Sequence, residues 1–306
     1  MVGIRQSAAP PGAAPGRALE LQAMERRENF PVALRVLPRD VRADLRAVYD
    51  VVRTIDELGD AAPGNRAAAL NRFADDLGRV WTGDPPEHPV LIALRSATFR
   101  RNLPREPFDR LVTANLADQR VTRYATFADL LGYCDLSAAP VGRLVLALFG
   151  QDGPEQRVLS DRICAGLQVV EHLQDVGEDR RAGRVYLPQA DLRAFGVAET
   201  DLDAPEASPA VRRLVLAELD RVTGLFDAGA PLLPMLHGWA RLAVACYLAG
   251  GRAAAVAVRR VDGDVLGGTA RARRRDVLAD LLRRPPRIGR GQTAIHGRTA
   301  EEATGC

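Results

Sequence analysis

Two short acidic stretches in this chain have a spacing that permits chemistry. "RTIDELGDAA" (Arg53 to Ala62) carries Asp56 and Asp60, and "LQDVGEDRRAGRVYLP" (Leu173 to Pro188) carries Asp175 and Asp179. Residues four apart nearly eclipse on an α-helix. Tyr49, Arg53, Asp56 and Asp60 therefore share one face, and that face adjoins an apolar stripe of Val41, Leu45, Val48, Val52 and Ile55. In the second stretch Leu167, Val169, Val170, Leu173 and Val176 surround most of the helix, leaving a narrow polar stripe of Gln168, His172, Asp175 and Asp179. Burying ionised carboxylates is costly unless a cation or a donor compensates them. Two such stripes facing one another would make an oxygen-lined site of the kind Mg²⁺ accepts, with water and phosphate oxygens completing the coordination. The partner is then a diphosphate. Either pair alone reads more readily as ordinary solvated helix residues balanced by arginine. Their duplication, with Arg53, Arg180, Arg181 and Arg184 close by, favours the metal and diphosphate reading.

Neighbouring residues carry two readings each. His172 either touches diphosphate or supports a carboxylate, or it is a hydrogen-bonded core histidine. Tyr49 either orients diphosphate through its hydroxyl or packs in a bundle. Tyr133 and Ser137 share a helix face one turn apart and either line a pocket or pack; Trp81 and Trp239 read as core.

Several other chemistries find no support. Cys134, Cys164, Cys246 and Cys306 lack CxxC spacing and histidine partners, so they read as reduced, mostly buried thiols rather than zinc ligands. The chain has no lysine and hence no Walker A motif, and neither HExxH nor GxSxG occurs. The one GxGxxA match, Gly289 to Ala294, follows no strand pattern and reads as chance, so no reductase step is implied. The 42 basic residues are balanced by 39 acids without aromatic interleaving, which argues against nucleic acid.

The elements that must position these groups are helices. Aromatic residues are 5% of the chain while Ala, Leu, Val and Arg dominate, and strand-like alternation is nearly absent. Helical periodicity predicts segments at about 39–58, 64–81, 86–101, 107–118, 123–133, 137–149, 154–180, 189–195, 207–227, 230–249, 251–261 and 270–283. The expected architecture is one all-α domain over residues 19–285, between disordered tails at 1–18 and 286–306 rich in Pro, Ala and Gly. No secretory h-region and no uncharged apolar run of about 18 residues is evident, so a cytoplasmic protein is expected, at most peripheral to a membrane.

At these residues the sequence resembles the squalene and phytoene synthase family, head-to-head prenyl synthases. "YDVVRTIDELGD" is similar to the family's first aspartate-rich motif and "LQVVEHLQDVGEDRRAGRVYLP" to its second, over about residues 19–285. The resemblance implies an isoprenoid-synthase-type bundle with a central cavity, and Mg²⁺ held by Asp56, Asp60, Asp175 and Asp179. Two variant stretches, "ENFPVALRVLP" (with Asn29 and Phe30) and "YCDLSAAPVGR", resemble the hydroxysqualene synthases of the bacterial hopanoid pathway. Leu136 stands where eukaryotic squalene synthases carry a catalytic tyrosine. Glu171 stands where the family usually has a metal-assisting Asn, and Gly263 where many relatives carry Tyr.

The implied substrate is presqualene diphosphate, made elsewhere from two farnesyl diphosphates. Its C–O bond would ionise with help from Arg53 and Arg184. Phe30, Leu130, Leu136, Ala138, Val141 and Leu167 would wall the hydrocarbon, and one water would give hydroxysqualene. The alternative is a condensing synthase that joins two farnesyl diphosphates; a catalytically silent helical subunit is a third reading. Implied partners beyond the substrate are other enzymes of the same pathway and an anionic membrane surface, which "RARRR" (Arg271 to Arg275) could contact, although a solvated charged face is the simpler reading.

Overall fold

The structure, a computed structural model, describes residues 37–268 and 270–283. Asn29, Phe30 and both expected tails lie outside these residues. In chain order the helices are α1 (Arg39–Asp60), α2 (Arg66–Gly78), α3 (Pro89–Arg101), α4 (Glu106–Ala117), α5 (Phe127–Ser137), α6 (Ala139–Leu148) and α7 (Pro154–Gln174). There follow α8 (Val176–Arg181), α9 (Gln189–Ala194), α10 (Pro209–Gly229), α11 (Leu232–Met235), α12 (Gly238–Arg260) and α13 (Arg274–Arg283). Among the described residues, pairing of extended backbone is confined to an isolated parallel bridge between Arg123 and Val185.

Two apolar cores hold the bundle. The first gathers α1 to α4 around Val51, Ile55, Leu70, Leu91 and Phe108, all fully buried. The second gathers α5, α7, α10 and α12 around Val170, Leu214, Leu219 and Phe226. α6 belongs to both: Leu144, Val145, Ala147 and Leu148 face the first core and Leu146 the second. α1 is tied to α3 by Asp44, a fully buried carboxylate that accepts from Arg101 Nε at 2.7 Å and from Arg100 Nη2 at 2.5 Å.

Three expectations about elements change. The predicted helix 154–180 breaks at Asp175, whose φ of −107° leaves helical values and starts α8 on a new axis. The predicted separation of 230–249 from 251–261 is absent, because α12 runs through Gly250 and Gly251 without a break. Those glycines read as a helix end but serve packing. A Cβ at Gly251 would lie 2.6 Å from Phe226 Cζ, and one at Gly166 would lie 2.7 Å from Phe226 Cε1, so α12 and α7 both close on that ring. Trp239, expected in the core, is 41% exposed in the first turn of α12, on the face away from the fully buried Ala240.

Gly263 has a structural cause. It follows α12 with φ +70°, and a Cβ there would come within 2.8 Å of Arg212 O. A tyrosine would be strained in that left-handed backbone and would collide with α10. The segment Phe127–Leu148 and helix α12 are apolar and long enough to cross a membrane. The first is divided at Ala138, and α12 has 67% of its most apolar window buried within the bundle.

Candidate active site

The C-terminal end of α1 is pressed against α4. A Cβ at Gly59 would overlap Asn115 Oδ1, and Gln119 Nε2 donates to Gly59 O at 2.9 Å. This approach lets Asn115 Nδ2 donate to Asp56 Oδ1 at 3.2 Å. Burial pushes the Asp56 carboxyl up to about 6, against the lowering effects of the Asn115 bond and the Arg53 charge, with repulsion from Asp60 and Asp118 adding to the rise. Asp118, just past α4, is raised for the same first reason, and accepts the Tyr133 hydroxyl at 2.9 Å through Oδ2 while its buried Oδ1 has no hydrogen-bond partner among the described residues.

The second acidic stretch reaches this place through the turn after α8. Asp179 N donates to Asp175 O and Arg184 N to Asp179 O, both at 2.8 Å, so the chain reverses tightly and Gly183 takes φ +81°. Arg184 then lies between the two motifs: Nη1 donates to Asp60 Oδ1 at 3.0 Å, and Nε is 3.9 Å from Asp179 Oδ1. Arg184 thereby bonds a carboxylate 124 positions earlier in the chain, bringing the two motifs together. Asp175 lies half-buried at the helix break. Burial raises its pKa, and Glu178 and Asp179 add to that.

Residues 185–190 are fixed by pairing with 122–125: Val185 N donates to Thr122 O, and Gln189 N to Tyr124 O. Arg123 closes the strap from outside, bonding Glu199 at 2.7 and 2.9 Å and Gly183 O at 2.7 Å. Tyr186 is thus laid on His172, ring centroids 3.6 Å apart at 11°, with Tyr133 and Tyr124 packed beside them. His172 also bonds Gln168 at 3.1 Å, and its Nδ1 lies 3.6 Å from Asp179 Oδ2. Two clefts flank this stack. One is lined by Asp179 and Arg184, the other by Leu130, Val169 and Glu218; His172, Tyr186 and Leu187 line both.

The structure therefore gathers Asp60, Asp179, Arg184, His172, Gln168 and Tyr133, with Asp56 joined to the group through Asn115 and its repulsion by Asp118. Tyr49 and Arg53 lie half-buried on α1, with Arg53 Nε 3.4 Å from Glu57. Glu171 lies half-buried on α7. Ser137 turns its hydroxyl back onto Tyr133 O at 3.1 Å, and Leu136 beside it is half-buried. Sequence reasoning passed over Asn115, Asp118, Tyr124 and Glu218. They belong to no repeated spacing, and only tertiary contact reveals them. Tyr186 stood inside the quoted "GRVYLP", but nothing local foretold its stacking.

Among the described residues no three His, Cys, Asp or Glu side chains already converge to grip a metal ion. The donor set nevertheless suits a hard divalent cation: it is made of carboxylates, several with raised pKa values that a cation would relieve, and Asp118 keeps an oxygen to spare. Arg184 lies between Asp60 and Asp179, bonded to the first and 3.9 Å from the second.

Similarity to known proteins agrees with this geometry. The model of the squalene/phytoene synthase family matches residues 23–277. A hydroxysqualene synthase of Rhodopseudomonas palustris is 35% identical over 208 residues, 68% of this chain and 70% of that protein. A presqualene diphosphate synthase of the same organism is 32% identical over 206 residues, 65% of this chain and 72% of that protein. Among solved structures, squalene synthase HpnC from Alicyclobacillus acidocaldarius superposes with a TM-score of 0.70 at 38% identity, over 81% of this chain and 97% of that one. With both acidic stretches inside the matched span and the helical architecture shared, this chain belongs to the squalene/phytoene synthase family.

Proposed function

We propose that the chain is a hydroxysqualene synthase that ionises presqualene diphosphate, lets the cation rearrange and captures it with water. The observation that carries the reading is Arg184, which joins Asp60 of the first motif to Asp179 of the second beside a cleft walled by His172 and Tyr186. Asp56, Asp60, Asp175 and Asp179 would hold Mg²⁺, with Glu171 adding a further carboxylate to that set. Bound there, Mg²⁺ supplies charge neutralisation for the departing diphosphate. Arg184 and Arg53 add fixed positive charge where negative charge develops as the C–O bond lengthens. Tyr49 would orient the diphosphate through its hydroxyl. The His172–Tyr186 stack keeps solvent from the apolar side, where Leu130 and Val169 would face the hydrocarbon and a stray water would quench the cation early.

A condensing synthase is the second reading, favoured by the presqualene diphosphate synthase among the relatives. Incubating the purified protein with presqualene diphosphate and Mg²⁺ is expected to release diphosphate and give hydroxysqualene by mass. Conversion of farnesyl diphosphate alone would overturn the proposal in favour of condensation. No diphosphate release from either substrate, with the chain's function in the cell intact in Asp56→Ala and Asp175→Ala, would instead leave a silent subunit.

A further inference from the structure

Glu218 is the polar side chain of the second cleft that the proposed chemistry leaves unused. It lies on α10, is 1% exposed, and lines the cleft among Leu130, Val169 and Leu173. Its Oε1 accepts from Arg221 Nη1 at 2.8 Å, while its buried Oε2 accepts from no N–H or O–H among the described residues. Arg221 already has a bidentate partner in Asp191, at 2.7 and 3.1 Å, and its guanidinium also lies 4.9 Å over the Phe127 ring. A second carboxylate is thus not needed to satisfy the arginine, yet it is kept in an apolar wall with one oxygen unspent, where burial alone is costly. That burial raises the Glu218 carboxyl to about 7, so at neutral pH it passes between its two protonation states with little cost. When protonated it lies within hydrogen-bonding reach of Asp191, and the adjoining Arg221 is 41% exposed, so a proton taken up in the cleft has a short way out.

We propose that Glu218 holds, through Oε2, the water that captures the carbocation, and accepts the proton released on capture. The inference rests on the hydroxysqualene synthase reading. In the step, a lone pair of the held water forms the new C–O bond to the cationic carbon. One O–H bond of the resulting oxonium breaks, and its proton passes to Oε2. The products are the alcohol and a neutral Glu218 carboxyl, which returns to carboxylate by way of Asp191 and solvent. No oxidant or reductant is needed. The His172–Tyr186 stack, common to both clefts, places this carboxylate on the side away from Asp179 and Arg184, so water can be supplied to the hydrocarbon without flooding the diphosphate end.

The test is the product ratio of Glu218→Gln, which keeps the shape and removes the base. The full-length variant is incubated with presqualene diphosphate and Mg²⁺, and diphosphate release and organic products are measured together. Release within about threefold of the parent, with the hydroxysqualene fraction lowered about tenfold or more in favour of hydrocarbons formed by proton loss, is expected. An unchanged fraction overturns the proposal, and so does an equal fall of release and alcohol, which marks a purely structural role. Should Glu218→Gln fail to fold by circular dichroism, Glu218→Met, which also lacks the base, is read by the same ratio, and no change there overturns it equally. A parent protein that releases no diphosphate from presqualene diphosphate defeats the function reading itself, and this proposal with it.

Discussion

Replacing Asp56 by Asn should make the metal-free protein more stable while destroying its activity. Asp56 sits at the α1–α4 contact with its carboxyl raised from 3.8 to about 6, chiefly by burial, with repulsion from Asp60 and Asp118 adding to it. The folded chain therefore holds more protons than the unfolded chain between about pH 4 and pH 6, so stability falls as pH rises through that window and stays lowered above it. About two pKa units at 1.36 kcal/mol each bound the cost of ionisation near 3 kcal/mol, and partial exposure reduces it to about 1–3 kcal/mol. Asn keeps the oxygen that accepts from Asn115 and carries no charge, so it recovers that cost. At pH 7.5 in EDTA, thermal unfolding of Asp56→Asn is expected to rise by about 3–9 °C at about 3 °C per kcal/mol. The gain should vanish near pH 4, where the parent carboxyl is also neutral. Adding Mg²⁺ should stabilise the parent and not the variant, by mass action on the folded state. A variant less stable than the parent at pH 7.5 in EDTA would refute the account of a repelled, buried carboxylate, as would a gain that persists unchanged at pH 4.

Other expectations concern separate parts of the molecule. Asp44→Ala should cost about 3 kcal/mol or more, read as a lower denaturant midpoint, because Arg100 and Arg101 lose the buried carboxylate joining α1 to α3. Gly263→Tyr should also destabilise, by about 2–4 kcal/mol, since φ is +70° and Arg212 O blocks the new side chain; a neutral effect in the same denaturant series would contradict the left-handed backbone. Arg184→Gln should weaken inorganic pyrophosphate binding about tenfold or more in titration calorimetry with Mg²⁺, on the loss of a charge-assisted contact. Unchanged affinity would remove Arg184 from the diphosphate site.

The helical class was legible because an apolar residue every third or fourth position is a local property, and Val41, Leu45, Val48 and Ile55 do lie buried along α1. Asp60 and Asp179 were legible as a pair through their repeated spacing, though the arginine that joins them could be named only as one of several nearby. What stayed hidden was set by contact across the fold. Gly250 and Gly251 look like a helix end until Phe226 is placed between α7 and α12. Asp175 looks like a residue in mid-helix until the turn that delivers Arg184 requires a break there. Glu218 sits on the apolar stripe of α10 with Leu214, Val215 and Val222, but a lone carboxylate there belongs to no motif that would mark it. The departure at Gly263 was visible, but its cause, a close approach to Arg212 O, was not.

The position of α6 carries one last consequence. A helix with side chains in both cores couples the two halves of the molecule. Loosening one half strips contacts from the other, so the chain should melt in a single cooperative step rather than as two subdomains. The acidic groups, contributed from both halves, then keep their spacing for as long as any of the fold survives.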